Sequence, residues 1–339
     1  MAARGTSKGR IFSYAFIAVC FAALVAYLFI SGDAKQLPQA FSWPNSLWLL
    51  VALCSMVGGW LFEGWVLYEM ARGLSQPIPY KAAVRSTMVV QFFNNVTPSS
   101  SGGQPMQVWS LWRDGVPVGE AGSVLLGKFA VYQAALVTCG VAAFAYAHEL
   151  FLQQVGGWVW LFIVAFILQA GIFAMLVAVI IKPRAVRWLL EKIAALVSHT
   201  PARNVGEKAM EKASGALDRF EADSRALVGK PGAFVRTYLL TLVQLQSVLV
   251  VPYCICRSLG VVPPLLLVLS AAAFVLMVSG VFPTPGAGGG AEGTFLLVFG
   301  LFFPQGTSVA AAMLLWRLLT FYFPVAAGSI FTVGAPKRQ

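Results

Sequence analysis

Apolar residues fill six long runs of this chain, at about 11–30, 47–70, 122–146, 158–181, 232–256 and 308–333. Each has roughly the 20 residues that a helix needs to cross the hydrocarbon core of a bilayer. Two further apolar stretches are split by glycine-rich sequence. The first breaks at Asn95-Val-Thr-Pro-Ser-Ser-Ser-Gly-Gly-Gln-Pro-Met-Gln107. The second breaks at Phe282-Pro-Thr-Pro-Gly-Ala-Gly-Gly-Gly-Ala-Glu-Gly293. Each sets a Thr-Pro pair (Thr97-Pro98, Thr284-Pro285) ahead of clustered glycines and one polar residue (Gln104, Glu292). Proline removes a helix donor and glycine unwinds easily, so a regular helix does not continue through either break. Open backbone at membrane depth is tolerated only where protein buries it or it lines a cavity. Paired broken segments in the two halves of a membrane protein point to a transport site.

The polar loops order these runs across the bilayer. The N-terminal Arg4, Lys8 and Arg10 place the first end inside, and no cleavage site follows the first run. Loop 71–85 carries Arg72, Lys81 and Arg85. The apolar arms around the first break are about 10–12 residues each, too short to span. Segment 182–230 holds ten Lys/Arg against six acids and belongs inside. It lies inside only if the first break re-enters from that face and returns to it. The same parity sends the second break in from the outside, although its arm 264–281 is nearly long enough to span alone. The expected fold is an all-α polytopic membrane protein of one domain, 1–339. It has about six full spans and two opposed re-entrant hairpins, as in an inverted repeat, with both termini cytoplasmic. Residues 182–231 form an amphipathic connector between the halves, where Val186, Leu189, Leu190, Ile193 and Val197 recur at helical spacing.

Composition agrees. The chain is 58% hydrophobic and 11% charged, where a soluble domain carries about 25% charged residues. The net charge of +11 sits in loops beside apolar runs, which fits anionic lipid headgroups and not nucleic acid. The five cysteines lack metal-ligand spacing and read as small hydrophobes. No cofactor is expected, because the Gly-Lys pairs do not have the spacing of a nucleotide-binding loop.

Four ionisable residues fall inside apolar runs: Glu63, Lys128, Glu292 and Arg317. A charge at mid-bilayer costs roughly 2.5–3.5 kcal/mol on insertion scales, so each needs a partner or an interface to snorkel to. Glu63 lies nearest an end of its run and surprises least. A glycine-rich turn feeding a short helix presents free N–H groups and a positive dipole end, which suit a phosphate. The expected headgroup site is therefore Asn95, Thr97, Ser99, Ser100, Ser101, Gly102, Gly103 and Gln104 in the first break. Thr284, Gly286, Gly288, Gly289 and Glu292 join it from the second. Lys128 and Arg317 would neutralise the phosphate. Glu292 would pair with one of these cations in the empty site, or take an amine or a proton.

The runs Pro98–Gln107 and Pro283–Glu292, the span with Lys128 and the Trp316-Arg317-Leu-Leu-Thr stretch together resemble one family, the transmembrane domain of lysylphosphatidylglycerol synthetase/flippase proteins and their stand-alone relatives. The resemblance covers about 11–333. It implies a bacterial or archaeal cytoplasmic-membrane protein that moves a lipid between leaflets. Bifunctional members add a soluble aminoacyl-transferase domain, which this sequence lacks, so no lysylphosphatidylglycerol synthesis is expected. Lys128 stands where the family pattern leads one to expect arginine; this keeps the charge but loses the bidentate fork. The lipid would be an anionic or aminoacylated phospholipid, or a polyprenyl-linked one. A membrane-embedded lipid-modifying transferase and a non-transporting scaffold of envelope lipid synthesis stay open as alternatives. So do a homo-oligomer, through small-residue stretches such as Gly58-Gly59, and a lipid-synthesising enzyme as partner.

Overall fold

The computed structural model describes residues 37–43, 45–72, 77–150, 152–153, 156–181, 231–303 and 309–333. The expected first span at 11–30 lies outside them, as does the connector up to residue 230. Helices follow one another with no named strand among the described residues. After a short α1 (Leu37–Phe41) come α2 (Ser46–Ala71), α3 (Tyr80–Val96), α4 (Gly103–Arg113), α5 (Val118–Leu150) and α6 (Val159–Ile181). The second half has α7 (Pro231–Leu249), α8 (Val251–Ser258), α9 (Leu265–Ser279), α10 (Gly290–Phe299), α11 (Val309–Arg317) and α12 (Phe323–Val333). Among the described residues, five helical stretches are long and apolar enough to cross a membrane: Ser46–Ala71, Val118–Glu149, Gly156–Ala178, Gly232–Ser258 and Val309–Thr332.

Between them α3–α4 and α9–α10 are hairpins, and they open at opposite ends of the bundle. The last crossing helix starts at Val309, just beyond the second hairpin's return arm and its Gly300–Phe302 turn. It ends with Phe331 against Arg85, Arg113 and Asp114 at the base of the first hairpin. A helix that runs from the base of one hairpin to the base of the other requires the two to enter from opposite faces.

The halves also match in register. With Thr97 laid on Thr284, α2 falls on α7–α8, α4 on α10 and its following turn, and α5 on α11–α12. Packing follows the same symmetry. The first arm α3 packs on α12, and its counterpart α9 packs on α5, while α2 and α7 pack on each other. The α9 helix is buried on nearly every side, and its Ala271, Ala272 and Ala273 let neighbouring backbones approach. Phe274 stacks on Phe162 of α6 at 5.1 Å, and Phe295 of α10 stacks on Trp316 of α11 at 4.8 Å. The second stack fixes the return arm of the second hairpin beside Arg317.

Several boundaries differ from the sequence pattern, each for a local reason. The α3 arm has 17 residues, not 10–12, because its first turns carry Tyr80, Lys81 and Arg85 and do not read as apolar. The run 232–256 is two helices, since Pro252 lies in the first turn of α8 and can give no N–H to the turn before it. The last run is interrupted at Leu318–Tyr322 by a π-helical turn. Pro324 explains it: the ring would press on the carbonyl of Thr320, and the missing N–H leaves that carbonyl unbonded, so the ladder widens there. Helix α10 begins at Gly290, inside the stretch expected to be open, which puts Glu292 in its first turn.

Candidate functional site at the two breaks

The two breaks meet. Pro98 and Pro285 face each other as an antiparallel bridge. Around them the loops are built alike. Ser100 N–H donates to Thr97 C=O at 3.3 Å and Ser101 N–H to Pro98 C=O at 3.1 Å. Their counterparts Ala287 and Gly288 donate to Thr284 and Pro285 at 3.0 and 3.1 Å. Each proline is followed by two left-handed residues, Ser99 and Ser100 (φ 53° for both) and Gly286 and Ala287 (φ 56° and 55°). Antiparallel pairing of equivalent residues places a local two-fold axis between the hairpin tips. Non-glycine residues with positive φ are uncommon and concentrate at functional sites, because the surrounding structure must hold them there.

In the first break, Thr97 Oγ1 donates to Phe93 C=O at 2.6 Å and accepts from Gly102 N–H at 2.9 Å. Its hydroxyl therefore closes the loop. Gly102 and Gly103 allow that closure, since a Cβ would meet Thr97 at 2.6 Å and Asn94 at 1.8 Å respectively. Asn95 turns back to Gln91 C=O at 2.7 Å. Ser99, Ser100, Ser101 and Gln104 are exposed at the tip.

The second break is joined to a charge. Thr284 Oγ1 donates to Gly288 C=O at 2.8 Å and shapes the loop as Thr97 does. Gly289 N–H, with φ 84°, donates to Glu292 Oε2 at 2.7 Å. Arg317 Nη2 lies 2.7 Å from the same oxygen, and Arg317 Nη1 donates to Gly286 C=O at 3.0 Å. Arg317 is 5% exposed, and its guanidinium is flanked by the Trp316 and Phe321 rings, with centroids at 4.9 and 5.6 Å. Its Nε finds no acceptor among the described residues, and the Nη2 contact is one of charge without hydrogen-bond alignment. Glu292 thus does what a bound anion would do: it caps the N-terminus of α10 and balances Arg317. Its side chain stays partly exposed, at 20%.

Lys128 does not join this group. Its Nζ lies 2.7 Å from Glu63 Oε1, and Gln91 Nε2 donates to the other Glu63 oxygen at 2.7 Å. Glu63 and Lys128 are only 7% and 8% exposed. Glu63, the least surprising charge in the sequence, is the buried partner that makes Lys128 affordable at this depth. The cations of the two halves therefore sit in separate pairs. One takes its carboxylate from a neighbouring span, the other from the break itself. Sequence reading missed the roles of Glu63 and Gln91 and the π turn behind Arg317. Only Pro324 signalled the turn.

Comparison with known protein families matches residues 11–328 to the lysylphosphatidylglycerol synthase TM region. The chain belongs to this family. The lysylphosphatidylglycerol synthase transmembrane-region family is a membrane protein family linked to lipid handling, and the match is to its membrane part, not to a catalytic domain. A relative from Archaeoglobus fulgidus, named as a UPF0104 membrane protein, is 27% identical over 317 residues, covering 91% of this chain and 92% of its own length. The resemblance read from the two glycine-rich motifs and Trp316-Arg317 is the family assignment that the comparison gives. The chain is accordingly a multi-pass membrane protein of that family.

Proposed function

We propose that the protein moves a phospholipid between leaflets, with the headgroup passing between the two breaks and its phosphate replacing Glu292 on Arg317. The observation that carries this reading is the Glu292–Arg317 pair at the meeting point of the breaks. A carboxylate and a phosphate are interchangeable ligands for a guanidinium and a helix N-terminus. The Nε of Arg317, without an acceptor among the described residues, adds a second donor for a bidentate phosphate. Once displaced, Glu292 is left charged beside the substrate. An aminoacylated phospholipid supplies an ammonium for it, so this headgroup fits both halves of the pair; a plain anionic lipid would need a proton on Glu292 instead. The exposed Ser99, Ser100, Ser101 and Gln104 line the other side of the passage. In this reading the protein sits in the cytoplasmic membrane of a bacterium or archaeon, with the first hairpin and both termini on the cytoplasmic side.

The test is leaflet exchange in liposomes of the purified protein, with labelled phosphatidylglycerol and labelled lysylphosphatidylglycerol. Arg317→Ala should abolish exchange of both. Glu292→Gln should spare phosphatidylglycerol and slow the lysyl lipid by about tenfold or more, the loss of one charge-assisted contact. Exchange of both lipids at the unaltered rate in the Arg317→Ala protein would remove the basis of the proposal.

A further inference from the structure

The base of the second hairpin holds an arginine answered by rings and not by a carboxylate. Arg257 lies in the last turn of α8, where the chain leaves for α9. Its guanidinium sits over the Trp48 ring of α2 at 4.4 Å and lies 5.8 Å from the Tyr253 ring one turn back. The two rings stand at 87° to each other with centroids 6.0 Å apart, a corner that fixes the fork. Arg257 Nη1 donates to the Tyr253 hydroxyl at 2.9 Å. Its Nε and Nη2 have no hydrogen-bond partner among the described residues, and neither is sealed from the surroundings. Among those residues the carboxylates of Glu63, Glu69, Asp114 and Glu292 are taken by other cations, and none reaches Arg257. The first half shows the contrast. In the shared register the end of α8 falls on the end of α2, where Arg72 has the carboxylate of Glu69 one turn before it at 3.5 Å. Arg257 has a phenol there instead. The dipole of α8 offers its last turn only roughly half a negative charge.

We propose that Arg257, held by Trp48 and Tyr253, binds the phosphodiester headgroup of a membrane lipid at the base of the second hairpin. The free Nε and Nη2 edge of a guanidinium matches two phosphate oxygens, and the stacked rings keep it in place for them. Apolar side chains flank the corner along the chain: Trp43 and Leu47 before Trp48, and Val262 and Leu265 after Arg257, are all exposed. Acyl chains suit these side chains, which favours a lipid over a free phosphate. The site is separate from the central one. Helix α8 packs on α11, whose Arg317 stands eight residues beyond Val309, about 12 Å along the axis. That a headgroup at Arg257 goes on to Arg317 rests on the translocation reading; that Arg257 binds a phosphodiester does not.

The experiment uses the delipidated full chain in maltoside micelles. It measures binding of dioleoyl phosphatidylglycerol by native mass spectrometry, with water-soluble glycerophosphoglycerol as comparison. The background is the Arg317→Ala, Glu292→Gln double variant, in which the central site is disabled, so failure of either reading leaves the other standing. Adding Arg257→Gln should weaken lipid binding by about tenfold. Tyr253→Glu, which supplies the missing carboxylate one turn before Arg257, should weaken it as much. Arg257→Lys, which keeps the charge and loses the fork, should fall between, and Arg72→Gln at the matching helix end should change nothing. Thermal melting checks that each variant folds. Unchanged affinity in the folded Arg257→Gln protein would overturn the proposal. So would lipid binding that appears only once Asp33→Asn is added, since Arg257 would then belong to that carboxylate. Equal binding of the soluble headgroup would overturn the assignment to a lipid.

Discussion

Lys128 and Arg317 occupy matching regions of the two halves, yet their surroundings give them different work. Lys128 is held by Glu63, which Gln91 also holds, and all three are satisfied within the protein. Removing one member of a buried pair strands the other charge, at about 3–5 kcal/mol. Lys128→Met should therefore lower the thermal midpoint sharply, and Glu63→Gln added to it should recover most of the loss. The recovered double variant should still exchange lipid. The Arg317→Ala, Glu292→Ala pair should also fold but should not exchange lipid. Glycines separate in the same way. A Cβ at Gly286 would lie 2.1 Å from the Phe321 ring, on backbone with positive φ, so Gly286→Ala should destabilise and disturb the Arg317 contact. Gly293 has nothing within 4 Å, and Gly293→Ala should leave the protein as stable or more so, by up to about 1 kcal/mol. Melting curves of the two variants compare these directly. The sequence made all four membrane charges visible, because ionisable residues stand out in apolar runs. It gave Glu292 a cation as partner without saying which, and it did not pair Glu63 with Lys128, since those two are brought together by helix packing that no local pattern encodes.

At the scale of elements, proline and glycine located both breaks, and their chemistry is local enough to read directly. The lengths of the arms were less legible. Polar first turns hid the start of α3, and Gly290 and Gly293, which read as loop, lie inside α10. The π turn at Leu318–Tyr322 follows Arg317 immediately and sets how the residues beyond it, including Phe321, meet the second break. Pro324→Ala restores the missing N–H and should let the turn tighten to a regular helix, which moves Phe321 off Gly286. Exchange should fall severalfold while the melting temperature holds or rises, a split that liposome assays and melting curves read together. Loss of both together would instead assign Pro324 to folding alone.

For the whole molecule, the opposed hairpins follow from charge parity in the sequence, and the last helix, joining one hairpin base to the other, places them so. The sequence does not state that the tips touch, because that contact is between segments nearly two hundred residues apart. The pairing of Pro98 with Pro285, and the equal build of the loops around them, is what brings the two hairpins together at one central meeting point. A cross-link there tests the account most directly. Antiparallel partners have Cα atoms about 4.5–5.5 Å apart, within the reach of a disulfide. In a background with the native cysteines replaced, Pro98→Cys and Pro285→Cys together should form a disulfide under mild oxidation in native membranes. Lipid exchange should stop when it forms and return on reduction. No cross-link, or a complete cross-link with exchange untouched, would contradict the account.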